Sequence, residues 1–362
     1  MTQKSKELFE LFEKLVQIPG GSGFEEKVIE AVSAELKKRI SDVTLDPMGN
    51  VIGRVGTGKK SVMVCVHTDE VGMLIKYIDE KGYIYFDLNG MIDERVLLST
   101  KVDICTEHGI YTGVVGVKNR HLLTPEDLKR PITLSDLWID VGAESAEEVS
   151  RWGIEIGDPI VFHPNLQTIG KDTVVSKAID NRAGCAILID LAEKIKKKID
   201  YQLFFVAAVQ EEVGSRGAKV AAQTLGPDMA IVIDTVPASD PITPPQQATS
   251  ECGKGPVIRS MDVNALGWGT IYSKKIRQRL IATAAKNKIP HQKDIFRTWT
   301  DASTIHTSGK GIPCGGLYIP RRYSHSPLEL VKWSDVEKTS ELLYLFLKNL
   351  DSMVIDDLIR KV

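Results

Sequence analysis

Five short stretches of this 362-residue sequence carry imidazole and carboxylate side chains that could hold a cation. They are His67-Thr68-Asp69, Asp180 within Ala178-Ile179-Asp180-Asn181-Arg182, the pair Glu211-Glu212, Asp234-Thr235, and His325 within Ser324-His325-Ser326. Brought to one place, the two imidazoles and the four carboxylates of Asp180, Glu211, Glu212 and Asp234 make the inventory of a hydrolytic centre with two divalent cations. Such ligation suits zinc or cobalt, and manganese is compatible. In His67-Thr68-Asp69 the carboxylate stands two residues on, so in an extended segment it lies on the imidazole's side of the chain. There it can hold the ring's second nitrogen, the usual support of a metal-bound histidine. Glu211 and Glu212, read as extended, point to opposite sides, so one can ligate while the other handles a proton. Singly, each group has a plainer reading: Asp180 as a helix N-cap, Asp234 as a strand-end turn residue, either histidine as a structural group. Their joint occurrence decides for chemistry. His108, His121, His163, His291 and His306 have no acidic neighbour at a strand end and are read as ordinary.

The elements that must position these groups are apolar runs. Residues 203–209 (LFFVAAV) end abruptly at Gln210-Glu211-Glu212, residues 61–66 at His67, residues 229–233 at Asp234, and residues 314–319 precede a short basic loop and His325. Runs of this length bounded by polar residues read as strands buried on both faces. In an open α/β sheet, ligands bind beyond the carboxyl ends of such strands. Adjacent carboxylates are costly to leave unpaired so close to a core, so a cation is expected there.

Helices are expected over 6–17 and 25–40, the second with Ser22 and Glu25 as a capping box. Others are expected over 183–198, 218–225, 273–288 and 334–350, with short strands over 51–55 and 294–298. Lys194, Lys196, Lys197 and Lys198 read as a solvated helix end. Gly53, Gly58 and Lys59 have the spacing of a phosphate loop, but Lys60 stands where a hydroxyl is required and a strand follows, so a hairpin turn is expected. Between 71 and 163 the texture changes to short alternating runs with turn signals, which suggests a small antiparallel barrel or sandwich inserted into the α/β domain. Residues 236–256 contain five prolines and no apolar periodicity, and would line a substrate pocket with Arg259, Asp262 and Trp268.

A net charge of −2 gives no case for nucleic acid. No segment approaches the roughly 20 apolar residues that span a bilayer, and the charged amino-terminal segment lacks a signal-peptide core. Five cysteines without CxxC pairing fit a reducing compartment. A cytoplasmic protein is expected.

In order, His67-Thr68-Asp69-Glu70-Val71-Gly72, Ala178-Ile179-Asp180-Asn181-Arg182, Gln210-Glu211-Glu212-Val213-Gly214, Ile233-Asp234 and Tyr323-Ser324-His325-Ser326-Pro327 resemble the tetrahedral aminopeptidases, co-catalytic dimetal exopeptidases of the glutamyl aminopeptidase type. The resemblance covers essentially the whole chain, including the Ser22-Gly23-Phe24-Glu25 entry. It implies an α/β fold, a zinc-peptidase three-layer α/β/α sandwich over 1–70 and 165–362, with a barrel-like dimerisation domain inserted at 71–164. It also implies that Asp180 bridges two metals, His67 and Asp234 completing one site and Glu212 and His325 the other. Glu211 would be the general base and Asp69 would orient His67. Peptides with a free amino terminus would be the substrates, and dimers would assemble into a dodecamer. Thr300-Asp301-Ala302 resembles the family's Gly-Thr-Asp-Ala segment, with Trp299 in place of the glycine. The rival readings are a dimetal carboxypeptidase or deacylase, a metal-independent glycoside hydrolase, and a non-catalytic assembly protein.

Overall fold

The computed structural model describes residues 3–195, 199–244 and 246–359. The chain begins with helices α1 (Gln3–Val16) and α2 (Glu26–Lys37), followed by strands β1 (Asp42–Leu45), β2 (Val51–Val55) and β3 (Ser61–His67). The expected capping box is absent: Glu25 makes no side-chain cap bond to α2. Instead the Ser22 hydroxyl donates to Asp69 Oδ2 at 2.6 Å, and Glu25 Oε1 accepts from the Gln210 amide at 2.9 Å. Asp69 is fully buried, and satisfying it outweighs a helix end that water can solvate. Nor is residues 53–60 a hairpin.

Six strands then close into a barrel: β4 (Gly72–Ile78), β5 (Ile84–Asn89), β6 (Lys101–Thr106), β7 (Gly109–Val117), β8 (Leu137–Asp140) and, after the short α3 (Ala146–Arg151), β9 (Pro159–Phe162). Its order is β4-β5-β8-β7-β6-β9, and Met73, Phe86, Ile104, Ile139 and Phe162 fill the interior. The 118–135 stretch is a set of single 3-10 turns.

The remainder runs β10 (Gln167–Ile169), β11 (Thr173–Ser176), α4 (Ile179–Lys194), β12 (Gln202–Ala208), α5 (Arg216–Leu225), β13 (Met229–Pro237) and β14 (Val257–Arg259). It continues with β15 (Met261–Val263), β16 (Gly269–Ile271), α6 (Lys274–Lys286), β17 (Gln292–Asp294) and α7 (Ala302–Ile305). The chain then closes through β18 (Cys314–Arg322), β19 (Glu329–Lys332), α8 (Trp333–Lys348) and α9 (Ser352–Ile359). The eleven-stranded sheet is ordered β1-β2-β12-β3-β13-β18-β19-β11-β10 along its main path. Its centre, β12-β3-β13-β18, is parallel. β12 lies between β2 and β3, which is why no hairpin joins them. The strand expected over 294–298 ends at Asp294, where its pairing with β14 stops. α4 is irregular at its start: Asp180 (ψ 108°) and Asn181 (φ −120°) have non-helical backbone, so Asp180 stands just ahead of the regular helix, which begins near the start its apolar pattern suggests. Lys196, Lys197 and Lys198 lie outside the described residues.

Strand alternation explains the three layers. Val62, Val64 and Val66 of β3, with Leu203, Phe205 and Ala207 of β12, pack against α1, α2, α4 and α8. Met63 and Cys65, with Phe204, Val206 and Ala208, face α5 and α7 on the other side. All five cysteines are free, and no described helix is long and apolar enough to cross a membrane.

The barrel departs after β3 and the chain returns at β10 and β11, and a buried ion cluster ties the two ends. Lys177 Nζ sits 2.7 Å from both carboxylate oxygens of Glu70, and Arg182 Nη2 is 3.4 Å away. All three side chains are sealed from solvent. Glu70→Gln would leave two buried cations without a counter-charge, so a stability loss of about 3–5 kcal/mol is expected in denaturant titration. An unchanged midpoint would contradict this.

Candidate functional site

The parallel strands deliver their carboxyl ends to one rim. His67 is the last residue of β3, and its Nε2 lies 3.1 Å from Asp180 Oδ1 and 3.5 Å from Asp234 Oδ1. Its Nδ1 faces Asp69, 3.2 Å from the carbonyl and 3.4 Å from Oδ1. Asp234 is interior to β13 rather than at its end, because β13 runs on beside β18 to Pro237. The other oxygen of Asp180, Oδ2, is 3.5 Å from His325 Nε2, which is 3.5 Å from Glu212 Oε2. The five residues expected as ligands thus form two groups that meet at Asp180: His67, with Asp234 beside it, at one oxygen, and His325, with Glu212 beside it, at the other.

Glu211 and Glu212 diverge because of a turn, not strand alternation. β12 ends at Ala208, and Gln210 takes a left-handed φ of 56°. The Glu211 and Glu212 amides then both donate to Asp69, at 2.9 and 3.0 Å. Asp69 therefore holds His67 and the whole Glu211-Glu212 turn together. The Glu211 carboxylate accepts from the Ser215 hydroxyl at 3.3 Å, and no ion pair engages it among the described residues.

Several groups at the rim escaped the sequence reading. Glu329, at the start of β19, accepts the Asp180 amide through Oε2 and the His325 amide through Oε1. Arg321 pairs with Glu329 and with Asp180 Oδ2, the latter at 2.8 Å. Met91, in the barrel loop after β5, offers its carbonyl to His325 Nδ1 at 2.7 Å, which turns Nε2 inward. The barrel thus helps to aim a site residue, as carbonyl partners of ligating imidazoles do. Asp301 lies buried beside Cys65 and close enough to His67 and Asp234 to feel their charge. The signals for Arg321 and Glu329 were present in the basic loop and in a lone acid four residues past His325. Nothing in the sequence pointed to Met91.

The pocket residues expected from the sequence are placed otherwise. Arg259 is fully buried, pairs with Asp294 at 2.8 Å and lies over the Tyr318 ring at 4.1 Å. Asp262 is bonded to Tyr272 and Thr300. Neither charge is free for a substrate. Trp268 alone of the three is exposed, tilted against Trp299 with ring centres 6.1 Å apart.

The electrostatics are those of crowded, desolvated acid. Burial is the largest cause throughout: it raises Glu211 well above the usual carboxylate range, Glu212 to about 7, Asp234 to about 6 and Asp301 to about 7. Asp180 is the exception. Burial would raise it, but Arg321, His325 and His67 hold it well below its ordinary value. Burial would lower His67, yet Asp180, Asp234 and Asp69 together hold it high. Six acids, Asp69, Asp180, Glu211, Glu212, Asp234 and Asp301, thus crowd a site in which, among the described residues, Arg321 is the guanidinium that pairs with one of them, Asp180. One or more divalent cations would relieve that imbalance.

The donor geometry fits such ions. One ligand atom each from His67, Asp180 and Glu212 lies within 4.8 Å of the others. Atoms about 2.1 Å from a shared zinc at tetrahedral angles stand roughly 3.4 Å apart, close to the 3.1–3.5 Å separations here. His67, Asp180 and Asp234 could hold one ion, and Asp180, Glu212 and His325 another.

The chain is similar to known proteins along most of its length. Residues 49–342 match the model of the M42 glutamyl aminopeptidase family. A putative aminopeptidase of Acetivibrio thermocellus is 38% identical over 344 residues, covering 94% of this chain and 98% of its own. The solved aminopeptidase of the archaeon Desulfurococcus kamchatkensis superposes with a TM-score of 0.93 at 35% identity, covering 99% of each chain. The TET1 peptidase of Pyrococcus horikoshii, described as able to assemble into a tetrahedron or a large octahedral shell, gives 0.85 at 33% identity, covering 95% of this chain and 100% of its own. Fold and relatives agree: the chain belongs to the M42 glutamyl aminopeptidase family and is an aminopeptidase.

Proposed function

We propose that the chain removes amino-terminal residues from peptides by a dimetal mechanism in which Glu211 is the general base. The observation that carries this is the division of the rim into two donor groups that meet at Asp180. His67 and Asp234 would complete one ion site, Glu212 and His325 the other, with zinc or cobalt the best match to the donors and manganese compatible. Two bound divalent cations would lower the pKa of an attacking water and polarise the scissile carbonyl. Glu211, buried beside these donors with one oxygen held by Ser215, takes the water's proton and returns it to the leaving amine. The surplus carboxylates attract the substrate's free α-ammonium, which places the first peptide bond at the centre.

Asp69 is the positioning residue. Asp69→Asn is expected to weaken zinc affinity by roughly 10- to 100-fold, the usual loss when an outer partner of a ligating histidine is removed. Calorimetric titration of the metal-free variant checks this, and an unaltered affinity would remove the orienting role.

The catalytic unit is read as 1–70 with 165–362, and the barrel over 71–164 as a dimerisation module. Likeness to the shell-forming peptidase supports a homo-oligomer, which we read as built from dimers, up to a tetrahedral dodecamer. The cytoplasm is the proposed location, with peptides rather than nucleic acid or membrane as partners. Aminoacyl anilides assayed beside their N-acetylated forms test the reading. Hydrolysis confined to free amines is expected; hydrolysis of the blocked substrates alone would move the assignment to a deacylase or carboxypeptidase.

A further inference from the structure

Ser215 stands at the amino-terminal end of α5, where a serine normally caps the helix with its side chain. Here it makes no cap bond. Its hydroxyl is fully buried and engaged on both sides. Trp299 Nε1 donates to Ser215 Oγ at 2.8 Å, and Ser215 Oγ donates to Glu211 Oε1 at 3.3 Å. An indole nitrogen can only donate. The Trp299 bond therefore uses a lone pair of the hydroxyl and leaves its single proton for the carboxylate, so the chain of bonds has one direction. The backbone fixes the hydroxyl as firmly. Gly214 and Ser215 both donate their amides to the Glu211 carbonyl at 2.9 Å, Ser215 adopts a left-handed φ of 51°, and Thr304 Oγ1 holds its carbonyl at 3.2 Å.

We propose that Ser215 and Trp299 are positioning residues for Glu211, an inference that rests on Glu211 being the general base. With Oε1 tied to Ser215, the carboxylate is fixed in one rotamer and Oε2 is the oxygen that takes the water's proton. Trp299 sets the direction of the Ser215 proton from the half-buried edge of the site, where its ring leans on Trp268. This gives a role to a residue that sequence reasoning could treat only as a misfit before Thr300-Asp301-Ala302.

The test is steady-state kinetics of metal-loaded Ser215→Ala and Trp299→Phe on one aminoacyl anilide, with metal content measured alongside. A fall in kcat of roughly ten- to a hundredfold is expected for Ser215→Ala, the scale of a lost hydrogen bond to a charged group. A smaller fall is expected for Trp299→Phe, with KM and metal content unchanged in both. The double variant should be no slower than Ser215→Ala, because both act along one path. In a Glu211→Gln background neither change should cost anything further. Trp299→Phe keeps the ring and removes only its N–H, so it carries the test should Ser215→Ala fail to fold. Wild-type kcat in both single variants, with Glu211→Gln inactive, would overturn the positioning role while leaving the base in place. An active Glu211→Gln would overturn both. A raised KM at constant kcat in Trp299→Phe would make Trp299 a wall of the substrate pocket instead.

Discussion

Glu211→Gln is expected to keep its metal and lose at least about a hundredfold in rate, within the range for removal of a general base. The substitution preserves shape, and the amide oxygen can still accept from Ser215, so the hydrogen bond at Oε1 survives. What disappears is the capacity to take a proton. Metal retention follows from the assignment of the ligands to His67, Asp180, Glu212, Asp234 and His325, with one Glu211 oxygen engaged by Ser215 instead. Turnover of an aminoacyl anilide and elemental analysis of the same preparation check both halves. Wild-type turnover would sink the assignment, and lost metal would make Glu211 a ligand.

Asp180→Ala should have the larger effect on metal. Each of the other expected ligands serves one donor group, whereas Asp180 presents Oδ1 to His67 and Oδ2 to His325. Its removal is expected to weaken both ion sites by more than the roughly hundredfold that a lost outer contact costs, and to reduce hydrolysis to background. It also frees Arg321, whose remaining carboxylate partner is Glu329. That guanidinium, left near the site without Asp180, opposes a divalent ion further. Calorimetric titration with zinc measures the effect, and circular dichroism confirms retention of the fold. A variant that still binds two ions with near-native affinity would show that Asp180 is not shared.

The sheet and most of the rim were legible because burial on both faces leaves an unbroken apolar run, and a charged residue ending such a run is conspicuous. That logic found His67, Glu211, Glu212, Asp234 and His325 and brought them to one edge. It failed where tertiary demands override local pattern. Ser22 and Glu25 spell a helix cap, yet the buried Asp69 and the Gln210 amide claim their side chains. Arg259 looked like a substrate-binding charge, but Asp294, 35 residues away, neutralises it in the core. Residues 53–60 looked like a hairpin because nothing local reveals that β12, far later in the sequence at Gln202–Ala208, comes between the two strands. The orientation of His325 by the Met91 carbonyl depends on a backbone oxygen, which carries no residue-type signal at all.

Activity against zinc or cobalt added stepwise to metal-free protein tests the two-ion centre most directly. Little hydrolysis is expected at one ion per subunit, with a plateau at two. Full activity at one equivalent, or without any added metal, would contradict a centre shared through Asp180.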